Sequence, residues 1–229
     1  MADVTIVNVF PSLMGTYGDV GNELALAHRL RLRGLTTECL RTDPREPIPT
    51  TADLYLIGGG EDRAQVLAAS LMADALRSAV VKGAQVFAVC AGFQILGESF
   101  TDGQGQTHAG LGLLDAVTHP LKERAVGEAI INSTLPVGAI VGFENHRGAT
   151  TLGPDATPLG RVITGVGNGD GQRTEGALQG TIMATYLHGP VLALNPALAD
   201  EVLSRIVGPL PPVDDEYAEW ARARRLSPL

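Results

Sequence analysis

Apolar and polar positions in the first ninety residues switch repeatedly between two periods. Thr5–Phe10 (TIVNVF) is β-branched and apolar and reads as a strand, while Met14–Asn22, rich in Gly and Asp, reads as a loop. Apolar residues then recur at helical spacing over Leu24–Leu32, with Gly34 as the stop. Thr36–Leu40 is a second strand and Pro44–Pro49 a loop. Leu54–Ile57 is a third strand, cut off by Gly58-Gly59-Gly60. Val66–Val81 has the length and spacing of a helix, and Gln85–Val89 is a fourth strand ended by Cys90. Strands that alternate with helices require crossovers, so this half predicts an α/β fold: a mostly parallel sheet flanked by helices.

The texture changes after residue 100. Gly, Thr and short β-branched runs fill Thr101–Gly180, with turn signals at Asp102-Gly103, Gly142 and Asn168-Gly169-Asp170-Gly171. This stretch is expected to be strand and hairpin, continuing the same sheet. Thr181–Leu187 is a further strand ending at His188, and Asn195–Val207 a helix with Pro196 in its first turn. Residues 1–208 are expected to form one domain. Residues 209–229 read as a C-terminal extension containing Trp220 and the run Arg222–Arg225, either a partner-docking arm or a frayed solvated tail.

Composition narrows the classes of function. The 229 residues carry a net charge of −8 and 4% aromatics, which argues against nucleic-acid binding through phosphate contacts. No apolar run approaches the ~20 residues of a bilayer span and no signal peptide is apparent, so a cytoplasmic location without membrane insertion is expected. Two cysteines outside any CxxC pair exclude a disulfide framework, and no metal site is expected.

The densest chemistry lies in Val86–Gly97 (VFAVCAGFQILG), where an apolar strand runs into Cys90 and Ala91-Gly92 open a helix. A cysteine at such a turn is exposed at the carboxyl edge of the sheet, with small neighbours that permit a strained elbow. A helix N-terminus there favours thiolate. The plainer alternative is a small buried hydrophobe, the reading given to Cys39. His188, also at the end of an apolar strand and before Gly189-Pro190, is the candidate base. His28, His108 and His119 read as helix or surface residues. His146, in GFENHRG, is either a pocket residue or a hydrogen-bonded loop histidine. Gly58-Gly59-Gly60 follows a strand expected beside that of Cys90. Its amides suit an oxyanion, with the Ala91 amide as a second donor. No GKS or GKT follows, and Glu61-Asp62 stand where phosphates would lie, which excludes a phosphate cradle.

Together GGGEDR, VCAGFQILGESF, GFENHRG and YLHGP resemble the class I (triad-type) glutamine amidotransferases, in their cobyric acid synthase-like branch. YGDVGN (Tyr17–Asn22) and KERAVGE (Lys122–Glu128) add a likeness to the stand-alone glutaminase subunits of lipid II isoglutaminyl synthase. The resemblance spans roughly Val4–Val207. It implies a flavodoxin-like three-layer fold, Cys90 as nucleophile and His188 as base. It implies an oxyanion loop of Gly59 and Gly60 with the Ala91 amide, and substrate contacts from Gln94 and Arg124. On the residues alone, Arg124 is equally a surface charge.

The resemblance further implies L-glutamine as substrate and no cofactor in this chain. ATP and Mg are expected in a Mur-ligase-like (MurT-like) synthetase partner, which would amidate the α-carboxylate of D-glutamate in lipid II to D-isoglutamine. One departure stands out: most triad enzymes have His-x-Glu, whereas Gly189-Pro190 follows His188, so Asp19 or Glu144 is left to orient the imidazole. The rival readings are a glutaminase for another ATP-dependent amidation such as a corrinoid, a partner-free cysteine hydrolase of the PfpI type, and a non-catalytic binding subunit.

Overall fold

A computed structural model describes residues 2–226. In chain order its elements are β1 (Val4–Asn8), α1 (Gly21–Leu32), β2 (Thr37–Arg41), β3 (Leu54–Ile57), α2 (Asp62–Val81) and β4 (Gln85–Val89). Then come α3 (Ala91–Leu96), β5 (Ser99–Thr101), β6 (Thr107–Ala109), β7 (Ala116–Ser133), β8 (Ala139–Leu152) and β9 (Gly160–Thr164). β10 (Thr174–Glu175), β11 (Ala177–Gln179), β12 (Ile182–Thr185), α4 (Val191–Leu194), α5 (Pro196–Val207) and α6 (Glu216–Leu226) complete the chain.

The first sheet has the order β11-β12-β4-β3-β1-β2. Its four pairings from β12 to β2 are all parallel, and β11 closes one edge antiparallel. The central strands are predominantly apolar, as strands covered on both faces must be: every residue of β3 and β12 is buried. From β1 the chain moves one way to β2 and the other way to β3 and β4. Right-handed crossovers therefore put α1 and α2 on opposite faces, with α4 and α5 beside α1 and α3 beside α2.

Helix α1 buries Asn22, Glu23, Leu26, Arg29 and Leu30 at helical spacing. Two of these are charged and are paired rather than solvated. Glu23 binds Arg41 at 2.9 Å and accepts from Asn8, and Arg29 binds Asp200 and Asp215 at 2.6 Å each. Helix α2 qualifies the expectation about bilayer spans, since its 20 residues are apolar and long enough to cross a membrane by length and composition. Here one face, including Ala68, Met72, Leu76 and Ala79, packs in the core, and Asp74 stands exposed on the other.

Residues 101–180 depart from expectation. They do not continue the first sheet but build a second of six strands, β10-β9-β7-β5-β6 with β8 paired on β7. The reason is length. β7 and β8 have 18 and 14 residues, far beyond the four or five of the central strands, and satisfy most of their hydrogen bonds on each other. Only β11 from this region joins the first sheet. Phe100, Ile131, Leu159 and Val162 nevertheless share one apolar core with Ile6, Leu56 and Phe87. Cys39 also departs from its core reading: β2 is an edge strand, and Cys39 lies exposed on it.

The β7–β8 pairing breaks between Pro120 and Ala125, whose partners are Gly148 and His146. Residues 121–124 belong to no ladder there and bulge outward, carrying Lys122, Glu123 and Arg124. Segment 209–215 and α6 are tied down by polar contacts. Arg29 meets Asp215, Arg33 donates to Pro211 O, Arg222 donates to Ala139 O and Arg225 pairs with Glu128.

Candidate active site

Four segments leaving the carboxyl edge of the first sheet meet at one point, beside the place where strand order reverses. Cys90 follows β4 with φ 54° and ψ −109°, a conformation in which L side chains are strained. The elbow is held from both sides, because the Cys90 amide donates to Thr185 O (2.8 Å) and the Gln94 amide to Cys90 O (3.1 Å). Gly92 is required two residues on. A Cβ there would lie 2.6 Å from Ile57 O, so the helix approaches β3 closely only without a side chain.

His188 follows β12 and is completely buried. Its backbone makes a two-bond bridge with Phe143 of β8, at 2.8 and 3.1 Å. Its ring stacks on Phe143 (5.4 Å between centroids) and meets the edge of Tyr17 (4.9 Å). Nδ1 donates to the Asp19 carboxylate, 3.0 and 3.1 Å from its two oxygens, and Asp19 Oδ2 also accepts the Gly59 amide at 2.8 Å. Burial opposes the imidazolium, but the hydrogen bond to Asp19 and the Cys90 sulfur outweigh it, and the His188 pKa rises to about 9. Nε2 has no hydrogen-bond partner among the described residues.

Between the two open carboxylate candidates the geometry therefore selects Asp19. Glu144 instead accepts the Val166 and Gly167 amides (2.7 and 2.9 Å) and lies 3.7 Å from His146 Nε2. Burial would raise its pKa, yet His146 and those two amides bring it below the usual range.

Gly59 sits at the centre of this group, where a Cβ would be 2.9 Å from His188 Cε1 and 3.5 Å from Cys90 Cβ. Its own amide is taken by Asp19. The Gly60 amide finds no acceptor among the described residues, and the Ala91 amide, first in α3, has no intrahelical partner. Both are free to donate to a bound oxygen.

A cleft of about 800 Å³ opens over Cys90, lined by Tyr17, Gly59, Gly60, Ala91, Gln94 and Arg124 among others. All seven sequence-derived site residues except the buried His188 face it. Gln94 is fixed on both sides, accepting from Gln65 Nε2 (2.8 Å) and donating to Tyr186 OH (3.2 Å). Arg124 is exposed at the cleft wall, with Nε donating to Asn145 Oδ1 at 2.5 Å. His146 joins both of its readings, although on β8 rather than in a loop. It lines the cleft, stacks on Tyr186 at 3.8 Å and lies 3.0 Å from Gly148 O through Nδ1. His119 is exposed, and His108 pairs with Asp102 at 2.8 Å.

Sequence reasoning missed the support beneath these groups. Glu175 is fully buried, and its Oε1 accepts Thr185 Oγ1 (2.8 Å) and the Tyr186 amide (2.7 Å). Burial pushes its pKa up to about 7 against those two bonds. A single acid in the string RTEGAL carries no pattern that would have marked it.

An electropositive histidine, a strained cysteine and two free amides around one cleft form the constellation for attack on a carbonyl. The sequence pattern of the CobB/CobQ-like glutamine amidotransferase domain matches residues 5–196. The chain belongs to this family. The site is accordingly that of a glutamine amidotransferase, a glutamine-hydrolysing enzyme. Two relatives are each the GatD subunit of a glutamine-hydrolysing lipid II isoglutaminyl synthase. That of Staphylococcus aureus (strain N315) is 35% identical over 90% of this chain and 85% of its own length. That of Streptococcus pneumoniae (strain ATCC BAA-255 / R6) is 33% identical over 86% and 77%. A crystal structure of a glutamine amidotransferase superposes with a TM-score of 0.62 at 20% identity, over 88% of this chain and 98% of that one, and shares its fold.

Proposed function

We propose that this amidotransferase is the glutaminase subunit of a lipid II isoglutaminyl synthase. The support is the Cys90–His188–Asp19 geometry in a chain similar to two GatD subunits along most of its length. With its pKa near 9, His188 is an imidazolium at neutral pH and a proton donor beside Cys90. The thiolate attacks the side-chain carbonyl of L-glutamine, and the amides of Gly60 and Ala91 take the developing oxyanion. As the C–N bond breaks, His188 Nε2 gives its proton to the departing nitrogen, releasing ammonia and leaving a γ-glutamyl thioester. Water, deprotonated by the now neutral His188, attacks the thioester to give glutamate and restore the thiolate. Asp19 holds the imidazole by Nδ1, and Gly59 holds Asp19. Gln94 and Arg124 bind the substrate.

Ammonia set free in bulk water at neutral pH is protonated and no longer nucleophilic, so the reading requires a synthetase docked to this chain. A Mur-ligase-like (MurT-like) subunit would supply ATP and Mg and activate the α-carboxylate of D-glutamate in lipid II. Such a complex would work in the cytoplasm, with residues 209–229 as a candidate docking segment. The test is ammonia release from L-glutamine by wild type and Cys90→Ser, alone and with the copurified synthetase. Release that disappears in Cys90→Ser supports the glutaminase, and dependence on a ligase of another kind changes the acceptor. No release even with synthetase, ATP and acceptor would leave a binding subunit.

A further inference from the structure

From the end of β12 at Thr185 the chain runs outside the sheet to His188, and the three amides from Tyr186 to His188 need acceptors of their own. All three have them. The Tyr186 amide donates to Glu175 Oε1 (2.7 Å), the Leu187 amide to Thr185 Oγ1 (3.0 Å) and the His188 amide to Phe143 O (2.8 Å). Thr185 Oγ1 in turn donates to Glu175 Oε1 at 2.8 Å. One carboxyl oxygen thus holds two of the three amides, the first directly and the second through a hydroxyl. Thr185 also reaches the other reacting group, because its carbonyl accepts the Cys90 amide at 2.8 Å.

The join between the two sheets puts Glu175 in this place. It ends β10, where it pairs with Gly160 of β9, and Gly176 then carries the chain into β11 of the first sheet. Gly176 is left-handed (φ 64°), and a Cβ there would stand 2.4 Å from Ala184 O, so the crossing lies tight against β12. Asn168 locks the same corner: its Oδ1 accepts the Gly176 amide (2.8 Å), and its Nδ2 donates to Thr174 Oγ1 (3.1 Å) and Gly176 O (3.0 Å). The Glu175 side chain is wholly buried, and Oε2 meets no partner among the described residues. Two donors on one oxygen and none on the other is how a neutral carbonyl is used, and the nearby Glu144 charge also disfavours the ionised form.

Resting on the Cys90–His188 reading, we infer that Glu175 is a positioning residue for the reaction: through Thr185 and Tyr186 its Oε1 sets the elbow at Cys90 and the exit to His188 as one unit. The site needs an acceptor at Oε1, not a charge. Glu175→Gln keeps that acceptor. Glu175→Met fills similar space without it and strands the Tyr186 amide and the Thr185 hydroxyl. Thr185→Val keeps the shape of the side chain but removes the hydroxyl, leaving the Leu187 amide unpaired while Glu175 still holds Tyr186.

The experiment measures ammonia release from L-glutamine by the full chain, with the synthetase present if the wild type requires it and Cys90→Ser as the blank. Glu175→Met is expected to lower kcat roughly ten- to hundredfold with KM within about threefold, since reacting groups are displaced while substrate contacts remain. Thr185→Val, the milder change that serves if Glu175→Met does not fold, should lower kcat about tenfold in the same way. Glu175→Gln should stay within about threefold of wild type, because a neutral acceptor replaces a neutral acceptor. An equal loss in Glu175→Gln and Glu175→Met, a fall carried by KM, or a folded Thr185→Val within about twofold of wild type overturns the brace and leaves the glutaminase reading intact. Wild-type release that persists in Cys90→Ser overturns both.

Discussion

Gly59→Ala isolates how tightly the catalytic group is packed. The backbone at Gly59 lies outside the left-handed region, so alanine is conformationally acceptable and only its methyl matters. That methyl would stand 2.9 Å from His188 Cε1, whereas ordinary contact begins near 3.4 Å. About half an ångström must be found somewhere. Gly59 itself has little room to move, because its amide donates to Asp19 at 2.8 Å and its carbonyl accepts the Thr16 amide at 3.1 Å. The imidazole is backed by Phe143 and bridged to it through the backbone, so its movement lengthens the 3.0 Å bond to Asp19. A misplacement of 1 Å at a reacting group costs about a hundredfold, so kcat for ammonia release should fall roughly ten- to hundredfold with KM little changed. The overpacking should cost about 1–3 kcal/mol, read by thermal unfolding. A kcat within threefold of wild type in a normally folded variant would refute this reasoning, showing that the loop yields and His188 does not.

Asp19→Asn should lower kcat by about 10²–10⁴-fold and move the alkaline limb of the pH–rate profile from near 9 toward the ordinary histidine value of 6.5. A folded-state pKa raised above 6.5 adds stability that is fully present below 6.5 and lost as pH rises through about 9. The Tm gap between wild type and Asp19→Asn should therefore close over that interval, and a gap independent of pH would exclude the ion pair. Arg29→Met leaves Asp215 without its cation, while Asp200 keeps Arg33 at 2.7 Å. It should cost about 1–3 kcal/mol, below the range for a fully buried pair because Arg33 remains and both aspartates keep about a quarter of their surface in water. Limited proteolysis should then cut first between residues 209 and 215, and an unchanged cleavage pattern would show that α6 is held by other contacts.

What the sequence disclosed depended on whether chemistry and local pattern coincided. Cys90 and His188 were legible because each ends an apolar strand, and parallel strands bring their carboxyl ends to one edge across 97 intervening residues. Asp19 and Glu144 stayed level, since both lie beside conspicuous glycines or histidines and only the fold shows which one reaches Nδ1. The second sheet was hidden because alternation in a Gly- and Thr-rich stretch signals strands without naming their partners. The cues at Asn145 and Tyr17 were weaker still. Asn145 is an ordinary strand polar residue until the bulge brings Arg124 against it. Tyr17 precedes a glycine in a loop whose backbone conformation no sequence periodicity encodes.

The bulge in β7 separates two kinds of constraint on how this chain can change. On either side of it, residues 116–120 and 125–132 are each committed to a partner on β8, and a one-residue slip would turn a whole face of side chains the wrong way. Residues 121–124 are exempt, because no ladder counts them. Their number and identity can vary while Phe143 still meets His188 and the elbow at Cys90 keeps its shape. The part of the cleft wall that carries Arg124 is thus editable independently of the elbow that carries Cys90. An enzyme designer seeking a new amide substrate would begin with those four positions.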